Sequence, residues 1–240
     1  MSGARYAEWK GWNSESFGTC SAADEVYFAA ELRRAGVEAV DGSYILELGF
    51  GNGTFAAWAL KQGARYSGTE LIPALLERGR GKGYDVYAAE AALPDLVESS
   101  SRDLVVAFDV LEHCSETDVI RLLREAYIVL KPGARLIARV PSGDSPFGRA
   151  IQHGDLTHRM ALGSSSVRQL AGETGFLVAQ VREPAFPLLG LGAAPFFRRL
   201  AVSLARTIAY PVLRRAFMGG GDAVLSPDMV IVLSKPYRDN

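Results

Sequence analysis

At 240 residues, 48% of them hydrophobic and 22% charged, the chain suits one globular domain with a decorated edge better than two full domains. A formal net charge of −1 excludes nucleic-acid binding through bulk positive charge. Two cysteines, Cys20 and Cys114, make no disulfide framework, which suits a reducing cytoplasm, and the start MSGARYAEWKGW has no apolar leader core, so no signal peptide is expected.

In chain order, YAEWKGWNSESFG is an aromatic and turn-rich arm, with Tyr6, Trp9 and Trp12 available to cover a site. Ser21 and Asp24 open a helix that runs to about Ala35. YILELGF (44–50) is an apolar run ending in glycines, the pattern of a buried parallel strand. A helix follows from Thr54 to Gln62, then a strand at 65–70 and a helix over IPALLERGR. Further strands are expected at 84–89 and 102–110, and a helix from Ser115 to Leu130. KPG (131–133) is read as the stop of that helix and ARLIARV (134–140) as strand five. A long loop, the helix SSSVRQLAGETG, the strand FLVAQV and a last strand at 229–235 complete the order. Strands alternating with helices at this spacing predict an α/β fold with a seven-stranded, mostly parallel sheet and helices on both faces. The uncharged stretch Ala185 to Phe197 is too short to span a bilayer.

ELGFGNG (47–53) places Gly49, Gly51 and Gly53 between the first strand and its helix, where backbone N–H groups approach a ligand closely. The spacing is Gly-x-Gly-x-Gly, not the Gly-x-Gly-x-x-Gly of a dinucleotide site. An acid two positions upstream, Glu47, suits a ligand carrying an ammonium or sulfonium charge. Glu70 ends the second strand, placed to accept from ribose hydroxyls.

These residues, with YSGTEL, FDVLEH and LKPGARLIARVPS in the same order, resemble the class I S-adenosylmethionine-dependent methyltransferases over residues 40 to 182. The resemblance implies a Rossmann-like fold, S-adenosyl-L-methionine as cofactor and S-adenosyl-L-homocysteine as product. It further implies that Glu47 and the loop Gly49, Phe50, Gly51, Asn52 and Gly53 hold the methionine part. Glu70 and Leu71 would face the ribose, and Asp109 and Val110 the far side of the cofactor. The acid expected near adenine after the third strand is displaced by one, with Ala89 in its place and Glu90 beside it.

All three histidines fall after strands four and five, at the carboxyl edge where such sheets bind ligands. A neutral imidazole suits removal of a proton from a hydroxyl acceptor during in-line methyl transfer. HGDLTHRM (153–160) resembles a segment of small methyltransferases acting on sugars, glycans and lipid-linked or quinone-like acceptors. By that likeness His158 is the first candidate base, Asp155 its partner and His153 a second candidate. The bland alternative has Asp155 and Thr157 capping a turn, with His158 bonded to backbone. Asp109, Glu112 and His113 form a weaker magnesium or manganese alternative, and no metal is expected. Cys114 reads as a small buried residue.

Between strands six and seven, residues 184–226 form a basic helical insertion. Arg198, Arg199, Arg206, Arg214 and Arg215 occur there with no acid from Pro184 to Gly221. Phe197, Leu200, Leu204 and Ile208 share one face of the helix near 195–215, Pro195 suits its start and Pro211 a break or kink. Packing on the domain with the basic face in water, a lid over the acceptor, and a peripheral contact with anionic lipid all fit. The organisation expected is therefore an arm and helix over 1–40, covering the site, and a methyltransferase domain over 41–240. The activity expected is methylation, O-directed, of a small-molecule or saccharide-type acceptor, including a lipid-linked one, in the cytoplasm or at a membrane surface. A nicotinamide-dependent oxidoreductase and a non-catalytic scaffold are the rival readings.

Overall fold

The computed structural model describes residues 3–218 and 221–237. After a short helix α1 (Gly3–Trp9) comes α2 (Ala22–Arg34). Ser21 caps α2 in a capping box with Asp24, and Arg33 and Arg34 complement the carbonyl dipole at its end. Then β1 (Tyr44–Leu48), α3 (Thr54–Lys61), β2 (Arg65–Glu70), α4 (Pro73–Gly81) and β3 (Asp85–Ala88) alternate. They are followed by α5 (Leu93–Leu96), β4 (Arg102–Phe108), a 3₁₀ turn at Leu111–His113, α6 (Glu116–Val129) and β5 (Leu130–Pro141). The chain ends with α7 (Arg149–Gly154), α8 (Ser164–Thr174), β6 (Leu177–Arg182), α9 (Ala193–Phe217) and β7 (Asp228–Ser234).

The sheet order is β3-β2-β1-β4-β5-β7-β6, parallel except for β7, which runs antiparallel to β5 and β6. Alternation along the central strands builds two cores. Leu46, Leu48, Val105, Ala107, Leu136 and Ala138 face α6 and α8; Ile45, Leu104, Val106 and Ile137 face α2, α3 and α4. Both faces are covered, so the strands are apolar throughout, as a parallel sheet requires.

Four local expectations change. KPG does not separate α6 from β5: the strand begins at Leu130, and Gly133, at φ +80, sits where the pairing with β4 slips between Arg102 and Leu104. The aromatic arm contains α1, and the long loop after β5 contains α7. Of the break or kink expected at Pro211 the break does not occur, and the insertion helix runs through it to Phe217. The root of the insertion is fastened by buried Glu31 of α2, which pairs with Arg182 at 2.5 Å and accepts from the Ala185 N–H at 2.5 Å. No helix among the described residues is long and apolar enough to cross a membrane.

Candidate active site

A cavity of about 770 Å³ lies beyond the carboxyl ends of β1, β2, β3 and β4, towards the upper end of the size range of small-molecule sites. Its floor is the turn after β1. Gly49, Gly51 and Gly53 all adopt left-handed backbone, with φ of 64°, 53° and 71°. A Cβ on Gly49 would lie 2.8 Å from Val110 Cγ2, and one on Gly51 3.0 Å from the Trp12 ring. The loop is therefore glycine for two reasons, conformation and close approach. Glu47, Gly49, Phe50, Gly51, Asn52, Glu70, Leu71, Glu90, Asp109 and Val110 all line the cavity. Gly53 is outside the lining and packs on Tyr84 and Phe17 instead.

Two of these acids differ from the simple picture of open ligand acceptors. Glu70 is buried, and its carboxylate already accepts from the N–H groups of Gly51 (2.9 Å), Leu71 (2.7 Å) and Ile72 (3.0 Å). With about four acceptor positions on a carboxylate, one remains for a ribose hydroxyl unless a turn N–H lets go. Burial raises its pKa against the pull of those three donors. Glu47 is deeper still, accepting from the Tyr66 hydroxyl at 2.6 Å, and burial raises its pKa well above the ordinary value. In the free protein it is therefore biased towards the neutral acid, and a cation beside it would draw the proton off. Asn52 donates to the Ser16 carbonyl at 3.0 Å, so its amide ties the arm to the glycine loop. Asp109, with φ of 58°, is clamped through both oxygens by the Arg139 guanidinium.

The opposite wall assembles from three separate segments. Tyr6 and Lys10 come from α1 and the residues after it, His113 from the turn after β4, and Thr157 and Arg159 from the loop after α7. Asp155 is buried. Burial alone would raise its pKa, but the Thr157 hydroxyl and N–H, with Lys10 and His158, outweigh that and hold it at about 2. It is thus an acceptor only, and its Oδ1 takes the Thr157 hydroxyl proton at 2.6 Å. The Thr157 oxygen must then accept from His113 Nδ1–H at 2.9 Å. His113 Nε2 is left with its lone pair, and the Tyr6 hydroxyl donates to it at 3.4 Å, near the long limit of a hydrogen bond. Burial, and then the neighbouring His158, lowers the His113 pKa, so the ring is neutral near pH 7.

The residues expected to lead lie behind the cavity wall or apart from it. His158 does not reach the cavity lining. Its Nδ1–H donates to the Gln152 carbonyl at 3.0 Å, its Nε2 lies 3.8 Å from Asp155, and its ring stands edge-on behind His113 with centroids 4.7 Å apart. Asp155 bonds the Thr157 hydroxyl and is outside the cavity lining. His153 sits exposed in the last turn of α7, apart from both. The Asp109, Glu112 and His113 trio does not assemble as an ion site, because Arg139 takes Asp109; Glu112, His113 and His158 bring ligand atoms within 4.8 Å of one another instead. Within that group, burial and Asp109 push the Glu112 carboxyl up to about 8, which favours its neutral form. Burial also pushes the Cys114 thiol up to about 11, so it is inert as a nucleophile. Sequence reasoning passed over Lys10 and Arg159; it gave Tyr6 only a covering part and Thr157 only a turn cap, and noted His113 for its place directly after strand four.

Residues 46–138, from β1 into β5, match the family model of a methyltransferase domain. No curated protein matches the chain. Among solved structures it is similar to an S-adenosylmethionine-dependent methyltransferase from Archaeoglobus fulgidus, at 16% identity over 88% of this chain and 94% of that one, with a TM-score of 0.62. It is similar to another from Mesorhizobium loti, at 19% identity over 89% and 98%, TM-score 0.56. A third is geranyl diphosphate C-methyltransferase from Streptomyces coelicolor A3(2), in complex with Mg2+, geranyl diphosphate and S-adenosyl-L-homocysteine, at 12% identity over 89% and 79%, TM-score 0.56. At such identities the likeness establishes the fold, and the acceptor has to be argued from the site itself.

Proposed function

We propose that this S-adenosylmethionine-dependent methyltransferase methylates a hydroxyl oxygen, with His113 as the group that takes the proton. One observation carries the reading: the chain Asp155–Thr157–His113 fixes the imidazole as its Nδ1–H tautomer and leaves Nε2 free to accept. Bound S-adenosylmethionine supplies an electrophilic methyl on a positively charged sulfur. The protein's work is then to hold donor and acceptor in line and to keep a proton acceptor ready. Glu47 and the glycine turn suit the methionine end, where an ammonium group would ionise Glu47; Glu70, Leu71 and Glu90 suit the nucleoside end. The weak bond from Tyr6 to His113 is one that an acceptor hydroxyl replaces on entering. Asp155, Thr157 and His158 are positioning residues. Trp12, packed on Gly51, and Tyr6 belong to an N-terminal segment that covers both ends of the site.

The acceptor class proposed is a small hydroxyl compound, saccharide-type included, free or attached to a lipid. The test is transfer of tritiated methyl from S-adenosylmethionine to matched panels of hydroxyl, amine and carbon acceptors. Label on the hydroxyl panel supports the reading, provided His113→Ala slows it about 100-fold or more while S-adenosylhomocysteine still binds. Label confined to amine or carbon acceptors overturns it.

A further inference from the structure

The insertion helix α9 is built inside out. Over its 25 residues no side chain is buried. Arg199, Ser203, Arg206, Tyr210 and Arg214 are half-buried on the face laid against the domain, together with apolar Phe196, Leu200 and Leu213. Arg199 donates to the Pro187 carbonyl at 2.7 Å, and its guanidinium and that of Arg206 stand over the Phe186 ring. Arg214 donates to the Ala223 carbonyl at 2.8 Å and lies 3.9 Å from Glu183. The opposite face carries Phe197, Leu204, Ile208 and Val212, which are 66%, 57%, 72% and 63% exposed. Ala201 and Ala205 fill the space between them, and exposed Arg198 and Arg215 flank the stripe. Arg199 and Arg206, which sequence patterning would put in water, thus anchor the helix with Arg214, while Phe197, Leu204 and Ile208 of the expected packed stripe are outside and Leu200 is half-buried.

Such a stripe is stable only if something covers it. We infer that the outer face of α9 docks on the surface of an anionic lipid bilayer, with Phe197, Leu204, Ile208 and Val212 in the acyl boundary and Arg198 and Arg215 at the headgroups. The inference stands on the helix alone and does not depend on the proton-acceptor role of His113. Charge decides between this and a second copy of the chain. From Pro184 to Gly221 there is no acidic residue, so two copies meeting along α9 would set arginine against arginine with nothing in the segment to pair them. An anionic headgroup layer supplies the missing sign. The helix lies in the interface and does not cross it, consistent with its arginine content. At its root, Val26, Ala29 and Ala30 of α2 with Pro187, Leu188, Leu189 and Phe196 line an apolar hollow of about 560 Å³. On another side of the same helix Phe28 lines the methyl-transfer cavity, so docking would act on an element that borders the active site.

The experiment is co-sedimentation of the full chain with vesicles of phosphatidylcholine, alone or mixed with phosphatidylglycerol, with size-exclusion chromatography alongside. The expected result is partition onto the anionic vesicles that weakens as salt is raised. Leu204→Asp with Ile208→Asp should lower the partition coefficient about tenfold or more, because acids replace the inserted side chains. Arg198→Glu with Arg215→Glu should lower it about fivefold or more per site. All four positions are exposed and lie away from the cavity, so affinity for S-adenosylhomocysteine should stay unchanged and certify folding. Absence of partition onto anionic vesicles overturns the inference, as does equal partition of the Leu204→Asp, Ile208→Asp variant. A dimer that this variant splits, without vesicle binding by either form, would assign the face to a second copy instead.

Discussion

The two ends of the cavity are made differently. At the end proposed for the cofactor the wall is built on backbone: a glycine turn whose amide geometry is set by three left-handed residues, braced by one carboxylate that binds three N–H groups. At the end proposed for the acceptor it is built from side chains, drawn from α1, the turn after β4 and the loop after α7, and joined by hydrogen bonds. A backbone cradle is encoded within a few consecutive residues. A side-chain wall is encoded in the tertiary packing, so its members reveal their roles only when the segments meet.

Substitutions should separate the two ends. The largest effect is expected from His113→Ala, which should cost about 10²–10⁴ in kcat if the imidazole is the proton acceptor, with affinity for S-adenosylhomocysteine kept in titration calorimetry. Glu70→Ala should do the reverse. It should weaken S-adenosylhomocysteine by about 30-fold, the scale of ~2 kcal/mol for bonds to a charged group, since the Gly51, Leu71 and Ile72 N–H groups lose their brace. Thr157→Val should cost about tenfold in kcat, from one lost hydrogen bond to the imidazole, and Thr157→Ser should restore it. Failure of the serine variant to restore turnover would make Thr157 a packing residue.

The smallest effect concerns stability. Glu112 is held at about 8 in the fold, above its ordinary value of 4.5, so its contribution is full below 4.5 and is lost as pH rises through about 8. Glu112→Gln should therefore raise Tm relative to the unaltered protein at pH 8.5, with a smaller change or none at pH 5. An equal Tm difference at both pH values would contradict the assignment. Glu47 has the companion sign for ligand binding: a cation that ionises a neutral acid releases a proton, so cofactor affinity should rise with pH.

What the sequence made legible follows the same division. The strand and helix order, the parallel sheet and the glycine turn could be read from local periodicity and punctuation, because a few neighbouring residues determine each. HGDLTHRM drew attention to a loop that reaches the cavity wall through Thr157 and Arg159. The proposed base moves from His158 to His113 because the turn at Asp155 directs the His158 ring behind His113, and the short hydroxyl of Thr157 makes the contact. Lys10 and Tyr6 lie more than a hundred residues from His113; the aromatic arm was legible as a cover, but its meeting with His113 has no local signature. The insertion helix was legible as amphipathic, but which face turns inward depends on Phe186, Pro187 and Ala223 accepting its arginines, and periodicity cannot report that.

The proton-acceptor role of His113 is tested most directly by the pH dependence of kcat/KM for methyl transfer, which reports groups of the free enzyme. The expected profile falls on the acid side with an apparent pKa below the ordinary histidine value of about 6.5, and the residual activity of His113→Ala lacks that limb. An acid limb at or above 6.5 that persists in His113→Ala would contradict the account.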